Sequence, residues 1–395
     1  MDSAMCRPLT GTLPLHPSAP PLRGRHLGHA ATRVRAATRY TAQAGLHSHA
    51  QAIQRLNGDD MGLRVALVGM GRIGRAHLQA LSAACGADVV GVFDLNAQLA
   101  RERAEAAQVR RVFASWGDVL SDPDVDCVGV LLPHDIHAQY AIEALEAGKH
   151  VVCEKPLAPT LVECDRMLAA AARSGRKLFA VHNRVYGLVV EKMADVLRQD
   201  GIGEVFLAQT TGFEAPPTVQ TWLATPRGGG GVLMSQAIHP MYVLRWLLGD
   251  VARVSCLFGD RKVVDMTAED HAVVLLKFVN GIAAEMTCTF GIAHGPLDHS
   301  ITLHGRDGYL QLSGRQLHAI APRLFGDTEL HELPVTETDW TSAFQRMWED
   351  YARGILEHAP TRQTGEDGKR AVEIVQAAYL SNATGRTIDL PLSVD

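Results

Sequence analysis

The sequence predicts an α/β protein with a parallel-sheet domain followed by an α+β domain whose sheet is open and mostly antiparallel. Short apolar segments alternate with helical stretches from residue 63 to about residue 182, a pattern typical of a parallel sheet covered by helices. After residue 185 strand-like segments predominate, which indicates antiparallel pairing. The length of 395 residues accommodates about two domains of roughly 100–200 residues each.

The composition excludes several classes of function. The chain is 47% hydrophobic and 21% charged with a formal net charge of −5, which is ordinary for a globular protein. No basic surface for a nucleic acid is indicated, and no apolar segment approaches the roughly 20 residues that span a bilayer. The seven cysteines are scattered without a C-x-x-C pair, so neither a disulfide framework nor a metal site is expected. We expect a cytoplasmic protein that binds neither nucleic acid nor membrane.

Residues 1–60 differ from the rest of the chain, with seven arginines, no lysine and five prolines that interrupt any hydrophobic period. We expect no stable structure before about Thr41. The segment is either a disordered extension resembling a transit peptide or lies upstream of the true start at Met61, which we favour. We therefore place the first domain at 61–182 and the second at 183–395, with the last helix packing back on the first domain.

The first predicted strand, Leu63–Val68, leads into the motif Gly69-Met70-Gly71-Arg72-Ile73-Gly74. Each glycine of such a G-x-G-x-x-G motif is required for a different physical reason. Gly69 permits a tight turn, Gly71 lets a pyrophosphate approach the backbone, and Gly74 lets the following helix pack closely against the strand. The phosphates would lie at the helix N-terminus, where free N–H groups and the helix dipole favour anions.

A helix is expected over residues 75–85, followed by a second strand at residues 88–93 that ends in Asp94. This carboxylate falls about 20 residues beyond the motif, where it can accept hydrogen bonds from the ribose hydroxyls of NAD. It would repel the 2′-phosphate of NADP, so we expect NAD. The alternative is that Asp94 caps the helix that begins near Asn96. Strand, motif and acid together predict a Rossmann dinucleotide-binding domain.

Further strands are expected at residues 125–132 and 150–153, with a helix between them at about 137–147. The later strand is followed directly by Glu154 and Lys155. A Glu-Lys pair at the carboxyl end of a strand lies where open α/β sheets bind ligands. A surface ion pair is equally compatible with the spacing.

A run of four glycines, residues 228–231, precedes a helical segment that contains Ser235, His239 and Tyr242. Ser235 and His239, at i and i+4, are expected to share one helix face. A histidine of near-neutral pKa can take the proton from a substrate hydroxyl while a hydride leaves. A purely structural histidine remains the alternative.

Four motifs together resemble the glucose–fructose oxidoreductase/inositol dehydrogenase (Gfo/Idh/MocA) family, from about Leu63 to the C-terminus. The first two are the glycine motif and Glu154-Lys155-Pro156-Leu157-Ala158. The others are His182-Asn183-Arg184 and the segment from Gly229 to His239. The resemblance implies an NAD(P)-dependent oxidoreductase acting on a secondary alcohol, usually in a sugar or cyclitol ring. It also implies homodimers or homotetramers formed through the second sheet.

The resemblance implies that Lys155 and His239 are catalytic. As a cation, Lys155 would steady the developing alkoxide, while His239 accepts the proton and the nicotinamide C4 the hydride. The expected cofactor contacts are the motif residues Gly69, Met70, Gly71, Arg72, Ile73 and Gly74, then Asp94, and by resemblance Leu132, Pro133, His137, Glu154 and Lys155.

One region departs from the family. Many members have an aspartate four residues before the histidine, where this chain has Ser235, and Tyr242 stands where a carboxylate is frequent. A less polar pocket would suit ring diols other than sugars or inositols. The expected substrate contacts are Arg184, Trp222, Ser235 and Tyr242, with Tyr186 also available and Arg184 or Arg227 able to bind a carboxylate.

In the second domain, strands are expected at residues 205–212, 254–258, 271–279, 282–290, 300–303 and 309–312. Asn280-Gly281 predicts a hairpin with a type I′ turn. One sheet face can cover helices and the other can pair with a second subunit. The apolar positions that could supply the pairing face, or equally the core, are Leu276, Met286, Cys288 and Phe290.

Four functional hypotheses remain open at this point. The leading one is an NAD-dependent dehydrogenase of a ring alcohol in a sugar, cyclitol or related polyol. The second is a cis-dihydrodiol dehydrogenase of aromatic-carboxylate catabolism. The third is a glycosidase that oxidises its substrate transiently on tightly held NAD. The fourth is a non-catalytic NAD-binding regulator, against which the presence of Lys155 and His239 argues.

Overall fold

Two β-sheets organise the part of the chain that the computed structural model describes, residues 62–216, 222–260, 262–294, 299–335 and 341–393. Residues 1–61 lie outside these ranges, and so do both interpretations of the N-terminal segment. From Met61 onward the chain clusters as one unit. None of the described helices is both long and apolar enough to cross a membrane.

The first sheet has five parallel strands in the order β2-β1-β3-β4-β5. Its strands are β1 (Leu63–Val68), β2 (Ala87–Phe93), β3 (Cys127–Val130), β4 (His150–Glu154) and β5 (Leu178–Val181). Its helices are α1 (Arg72–Leu81), α2 (Ala97–Ala106), α3 (Trp116–Ser121), α4 (His137–Glu146) and α5 (Leu161–Ser174). Strands β1, β3 and β4 are buried along nearly their whole length, as expected for apolar strands in a sheet covered by helices. The predicted Rossmann architecture is confirmed.

Helix α1 begins earlier than the sequence indicates. It starts at Arg72, with Gly71 as its N-cap, and ends at Leu81, whereas we expected residues 75–85. The glycine turn is complete at Gly71, so the last glycine of the motif is already inside the helix. Residues 82–85 then leave the helix in a turn.

The second sheet has nine strands in the order β13-β12-β11-β10-β6-β9-β8-β7-β14. Neighbouring strands are antiparallel except β6 and β9, which run parallel. The strands are β6 (Val205–Phe213), β7 (Val251–Phe258), β8 (His271–Phe278), β9 (Ala283–Thr289), β10 (Ser300–Gly305), β11 (Tyr309–Ser313), β12 (Gln316–Ile320), β13 (His331–Leu333) and β14 (Ile388–Asp389). The predicted open, mostly antiparallel sheet is confirmed.

The described helices of the second half include two, the last in sequence, that contact the nucleotide-binding half. The helices of the second half are α6 (Leu188–Arg198), α7 (Ile238–Leu248), α8 (Pro322–Phe325), α9 (Thr341–Leu356) and α10 (Gly365–Thr384). Helix α9 packs against α1, and α10 packs against β7 of the second sheet and also against β5 and α5 of the first. Both C-terminal helices therefore contact the nucleotide-binding half.

Strands β8 and β9 alternate strictly between buried and exposed residues, because successive side chains point to opposite sheet faces. Leu276, Met286, Cys288 and Phe290, considered for a subunit-pairing face, are all buried and belong to the core. The pairing-face alternative for these four residues is thus wrong. The opposite face exposes apolar side chains instead, among them Phe206, Leu257, Val273 and Leu275.

The hairpin predicted at Asn280-Gly281 is present between β8 and β9, but its turn differs. Gly281 has φ +95° while Asn280 is not among the positive-φ residues, and a type I′ turn needs both to be positive. The Gly281 N–H donates to the carbonyl of Phe278, and the Phe278 N–H donates to the carbonyl of Ile282. This pattern is a type I turn followed by a glycine bulge.

Candidate active site

The residues singled out from the sequence gather at one edge of the first sheet, where its parallel strands end. Gly69 follows β1, Asp94 follows β2, Leu132 lies just beyond β3, Lys155 follows β4, and Arg184 lies beyond β5. Ligands of open α/β sheets bind outside this carboxyl edge. The glycine loop at residues 228–231 and the segment leading into α7 reach the same edge from the second half.

The glycines of the motif divide into packing and ligand-facing positions. Gly69 has φ +99°, and a Cβ there would overlap the Leu131 carbonyl oxygen. A Cβ at Gly74 would overlap the carbonyl of Gly69. Gly71, by contrast, has no protein atom within 4 Å of the position of a Cβ. The open space at Gly71 adjoins the start of α1, whose N-cap makes no side-chain hydrogen bond.

Asp94 holds the glycine turn instead of capping a helix. One carboxylate oxygen accepts the Met70 N–H at 2.7 Å and the other accepts the Asn96 N–H at 2.8 Å. The cap of α2 is Asn96, whose side chain accepts the Leu99 N–H at 3.1 Å. The capping interpretation of Asp94 is therefore wrong. Its side chain stays half-exposed and keeps unused lone pairs.

Two buried histidines fasten the loop after β3. The ring nitrogens of His137 lie 2.7 Å from the Leu132 carbonyl oxygen and 2.9 Å from that of Pro156. His134 places its Nδ1 2.8 Å from the carbonyl oxygen of Gly229. Burial lowers the pKa of both histidines, while the two carbonyl acceptors of His137 act in the opposite direction on its ring. His134 carries no signal in the sequence, because its partner is a main-chain carbonyl 95 residues away.

Glu154, at the end of β4, is buried and held by two donors. Its Oε1 lies 3.1 Å from Nε2 of His77, and its Oε2 accepts the Lys155 N–H at 2.9 Å. Nδ1 of His77 in turn accepts the indole N–H of Trp348 at 3.0 Å. Sequence reasoning missed His77 and Trp348, which reach the site only through the packing of α9 on α1.

Lys155 lies in the centre of the edge. Its ammonium donates a hydrogen bond to the main-chain carbonyl of Ser235. Burial lowers the pKa of Lys155 to about 8; Glu154 acts in the opposite direction, and the positive charges of Arg184 and Arg72 lower it further. The following peptide bond to Pro156 is cis.

The segment before α7 is a π-helix over Leu233–Ala237, which alters the expected geometry of Ser235. A π-helix has a wider turn than an α-helix, but residues at i and i+4 still lie on one face, so the predicted shared face of Ser235 and His239 stays compatible with it. The Ser235 hydroxyl donates back to the Gly231 carbonyl. The i+5 partner of the Ser235 carbonyl in such a helix is Pro240, which has no N–H to donate. The ammonium of Lys155 donates a hydrogen bond to that carbonyl instead.

His239 lies close to this ammonium. Its Nδ1 is buried and has no hydrogen-bond partner among the described residues. Burial lowers the pKa of His239 well below the usual value, and the positive charges of Lys155 and Arg184 lower it further. The ring is thus neutral near pH 7 and can accept a proton.

The turn after β5 presents a second cation. Arg184 is half-buried, and within the described residues its guanidinium makes no hydrogen bond or ion pair. The acid that acts on it electrostatically, Glu214, is paired with His299 at 2.8 Å. Burial lowers the pKa of Arg184 to about 10, still well above neutrality. Gln363 fixes this turn by clamping both main-chain groups of His182 at 3.0 and 2.6 Å.

The aromatic residues expected to contact substrate lie in two different environments. Trp222 is half-buried and packs edge-on against His134, with ring centroids 4.1 Å apart. Tyr242 is buried and stacks on His182 at 3.9 Å, and its hydroxyl has no partner in the described part of the chain. Tyr186 is buried and donates to Asp350 at 2.7 Å, away from this edge. The side chain of Arg227 lies outside the described residues.

Glu269 is a buried acid that sequence reasoning missed, and it accepts hydrogen bonds at the start of the segment that leads into the helix of His239. Oε1 of Glu269 accepts the Leu233 N–H at 2.9 Å and the Tyr379 hydroxyl at 3.2 Å. Gly231, at φ +98°, passes so close that a Cβ there would overlap the carboxylate. Burial raises the pKa of Glu269 to about 7. The glycine run is therefore required by packing as well as by flexibility.

Three features of this edge fit a bound dinucleotide. The open space at Gly71 admits a pyrophosphate, and the uncapped N-terminus of α1 offers N–H groups to it. Asp94 presents free lone pairs where a ribose would lie. The exposed Leu95 supplies no positive charge for a 2′-phosphate. These residues fit NAD.

Sequence models of known protein families agree with this assignment. Residues 63–182 match an oxidoreductase family with an NAD-binding Rossmann fold, and residues 194–390 match the C-terminal alpha/beta domain of the same family. Fold and site together define an NAD-binding oxidoreductase. More narrowly, the chain belongs to the Gfo/Idh/MocA oxidoreductase family, as its motifs predicted.

Individual relatives are similar at low identity over most of the chain. A myo-inositol 2-dehydrogenase of Thermotoga maritima is 24% identical over 333 residues, covering 83% of this chain and 98% of the relative. A 1,5-anhydro-D-fructose reductase of Ensifer adhaerens is 27% identical over 338 residues, with coverages of 83% and 98%. The solved structure of a levoglucosan dehydrogenase with NADH shares the fold, with a TM-score of 0.78 at 21% identity and coverages of 84% and 100%.

Proposed function

We propose that this protein is an NAD-dependent dehydrogenase that oxidises a ring secondary alcohol of a sugar, cyclitol or related cyclic diol. Membership of the family and the activities named for its relatives, on inositol and anhydrofructose, support this class of substrate. Bound NAD supplies the hydride acceptor, C4 of its nicotinamide ring. The observation that carries the proposal is the juxtaposition of the half-buried Lys155 ammonium with the helix of His239.

Lys155 is the proposed electrostatic catalyst. An ammonium partly withdrawn from water stabilises a developing alkoxide better than a fully solvated one, because less water screens its charge. Its hydrogen bond to the Ser235 carbonyl fixes its position and leaves two further N–H donors. One of these donors would point to the substrate oxygen, lowering the pKa of the hydroxyl.

His239 is the proposed base. Its neutral ring has an available lone pair at neutral pH, and none of the described residues pairs with its buried Nδ1. Proton acceptance by His239 and charge stabilisation by Lys155 are complementary, because the proton leaves the oxygen as negative charge develops there.

The test is turnover by Lys155→Ala and His239→Ala, followed by the absorbance of NADH with sugars, inositols and cis-dihydrodiols. We expect each variant to lose at least about a hundredfold in kcat while it still binds NAD. Wild-type turnover in both variants would contradict the mechanism. NAD binding without NADH formation on any substrate would favour the transient-oxidation glycosidase or the regulator.

Arg184 favours a second candidate, a dehydrogenase of cis-dihydrodiols that carry a carboxylate. A half-buried guanidinium without a partner in the described residues would gain two charge-assisted hydrogen bonds from a carboxylate. Carboxylated and uncarboxylated dihydrodiols should then differ by about tenfold or more in kcat/KM, and Arg184→Gln should abolish the difference. Equal kcat/KM values in the wild type would exclude this candidate.

We further propose that the chain forms a homodimer or homotetramer through the open face of the second sheet. Leu257, Val273 and Leu275 expose apolar area on the adjacent strands β7 and β8, and Phe206 does so on β6, which β9 separates from β8. Light scattering of the wild type and of Leu275→Glu tests this proposal. A monomeric wild type would contradict it, and a smaller assembly in the variant would support it.

A further inference from the structure

A buried chain of hydrogen bonds runs from the second half of the molecule to Glu154. Trp348 of α9 donates its indole N–H to Nδ1 of His77 at 3.0 Å, and Nε2 of His77 lies 3.1 Å from Oε1 of Glu154. Trp348 and His77 are completely buried, although 271 residues separate them in sequence. The chain is a product of tertiary packing and has no local cause.

The chain has a single direction. An indole N–H can only donate, so Nδ1 of His77 must accept. A neutral imidazole then carries its proton on Nε2, which donates to the carboxylate of Glu154. The other carboxylate oxygen accepts the Lys155 N–H at 2.9 Å. Two donors from opposite sides therefore fix the orientation of the Glu154 carboxylate.

Packing prevents the imidazole of His77 from leaving this arrangement. Phe344 covers one side with ring centroids 4.6 Å apart, and Trp348 meets the ring edge-on at 5.8 Å. All three aromatic groups lie where α9 packs on α1, the helix whose first residues belong to the glycine motif. Burying a polar network here is costly unless all its members are paired, and this one is paired at every step.

We propose that Trp348 and His77 are positioning residues for the cofactor, holding Glu154 so that its remaining lone pairs accept a ribose hydroxyl of NAD. The inference rests on the proposed function and on the expected role of Glu154 as a cofactor contact at the carboxyl edge of the first sheet. A carboxylate accepts about four hydrogen bonds, so two donors from the protein leave capacity for the ligand. Outer partners of this kind commonly set ligand affinity by fixing the tautomer and orientation of the inner group.

The test measures the Kd for NAD of the full chain by calorimetry in four variants. Trp348→Phe removes the first donor and keeps a ring, and His77→Phe removes the donor to Glu154. His77→Gln restores an N–H near the position of Nε2. The matched control is Tyr351→Phe on the same helix, which removes a buried hydroxyl that lies 2.9 Å from the Ala180 carbonyl oxygen and 2.9 Å from Oε1 of Gln363.

We expect the Kd to rise about two- to tenfold in Trp348→Phe and more in His77→Phe, to recover in His77→Gln, and to stay within about twofold in Tyr351→Phe. In turnover, the KM for NAD should rise while kcat at saturating NAD changes little, since the chain acts on binding. Nitrogen NMR of labelled histidine should show His77 as the Nε2–H tautomer in the wild type.

Two outcomes would overturn the inference: an Nδ1–H tautomer at His77, or equal Kd changes in the control and in His77→Phe. The proposed function fails differently. If no alcohol reduces bound NAD while the ordered Kd changes persist, the positioning chain stands and the dehydrogenase assignment falls. If turnover depends on Lys155 and His239 while the Kd for NAD is insensitive to His77, the dehydrogenase assignment stands and the positioning chain falls.

Discussion

The ammonium of Lys155 donates a hydrogen bond to the main-chain carbonyl of Ser235, which ties the end of β4 to the helix of His239. The proposed cation and the proposed base therefore keep a fixed relation although they come from different halves of the chain. Burial holds the pKa of Lys155 near 8, with Glu154 and Glu214 raising it and Arg184 and Arg72 lowering it.

The pH dependence of kcat/KM should report this lysine. Only the cation stabilises an alkoxide, so activity should be present below about pH 8 and fall as the pH rises through the pKa of Lys155. The pKa of His239 lies well below its usual value, so the acid limb should fall below about pH 6.5. In Lys155→Arg the residual activity should lose the alkaline limb, because guanidinium stays charged. A limb near pH 8 in that variant would contradict the assignment.

Cofactor choice should depend on Asp94 and Leu95. The carboxylate accepts the Met70 N–H of the glycine turn, and the exposed side chain next to it supplies no charge. In the double variant Asp94→Ser, Leu95→Arg we expect KM for NAD to rise about tenfold and NADP to become a substrate, because repulsion is replaced by an ion pair. Leu95→Arg alone should still reject NADP. Steady-state kinetics with both cofactors measures this.

Two glycines of the motif should separate folding from binding. In Gly74→Ala the new Cβ overlaps the Gly69 carbonyl, so we expect about 1–3 kcal/mol of destabilisation. In Gly71→Ala the Cβ meets no protein atom, and the backbone φ of −64° suits alanine, so stability should be nearly unchanged. Gly71→Ala should nevertheless weaken NAD binding, since its Cβ enters the ligand space. Equal thermal stability of the two variants would contradict the packing distinction.

The parts of the site that the sequence predicts are those with a local cause. The glycine turn, the strand before it and Asp94 are spaced by one βαβ unit, so their geometry follows from about thirty residues of chain. The sequence also places Lys155 and His239 at the same edge through the resemblance. It does not reveal that Asp94 holds the Met70 N–H, because that contact depends on the exact course of the turn.

The parts that the sequence does not predict depend on contacts between distant elements. The Lys155 contact to Ser235 is with a carbonyl, which any residue type possesses, and arises because a π-helix precedes Pro240. His77 finds Trp348 only when α9 lies on α1. Likewise, the period-two alternation predicts that Met286 and its sequence neighbours lie on opposite faces of the sheet. It does not predict which face packs against helices, because those helices lie far along the chain.

Glu269 should make the stability of the protein depend on pH. Burial raises its pKa to about 7 in the folded chain, against 4.5 for the ordinary side chain. The folded state therefore holds the proton more tightly between these values, so this contribution is present below about pH 4.5 and is lost as the pH rises through about 7. Glutamine has no ionisation, and its carbonyl oxygen can still accept the Leu233 N–H and the Tyr379 hydroxyl.

Glu269→Gln should accordingly gain stability relative to the wild type as the pH rises. We expect similar Tm values near about pH 4.5 and a variant more stable by several degrees near about pH 8, because only the wild type must bury a charge there. The exposed Glu332→Gln on β13 is the matched control and should follow the wild type at every pH. Thermal unfolding across this pH range measures the difference. A constant offset between Glu269→Gln and wild type would mean that Glu269 has the same pKa in the folded and the unfolded chain, and would contradict the effect of its burial.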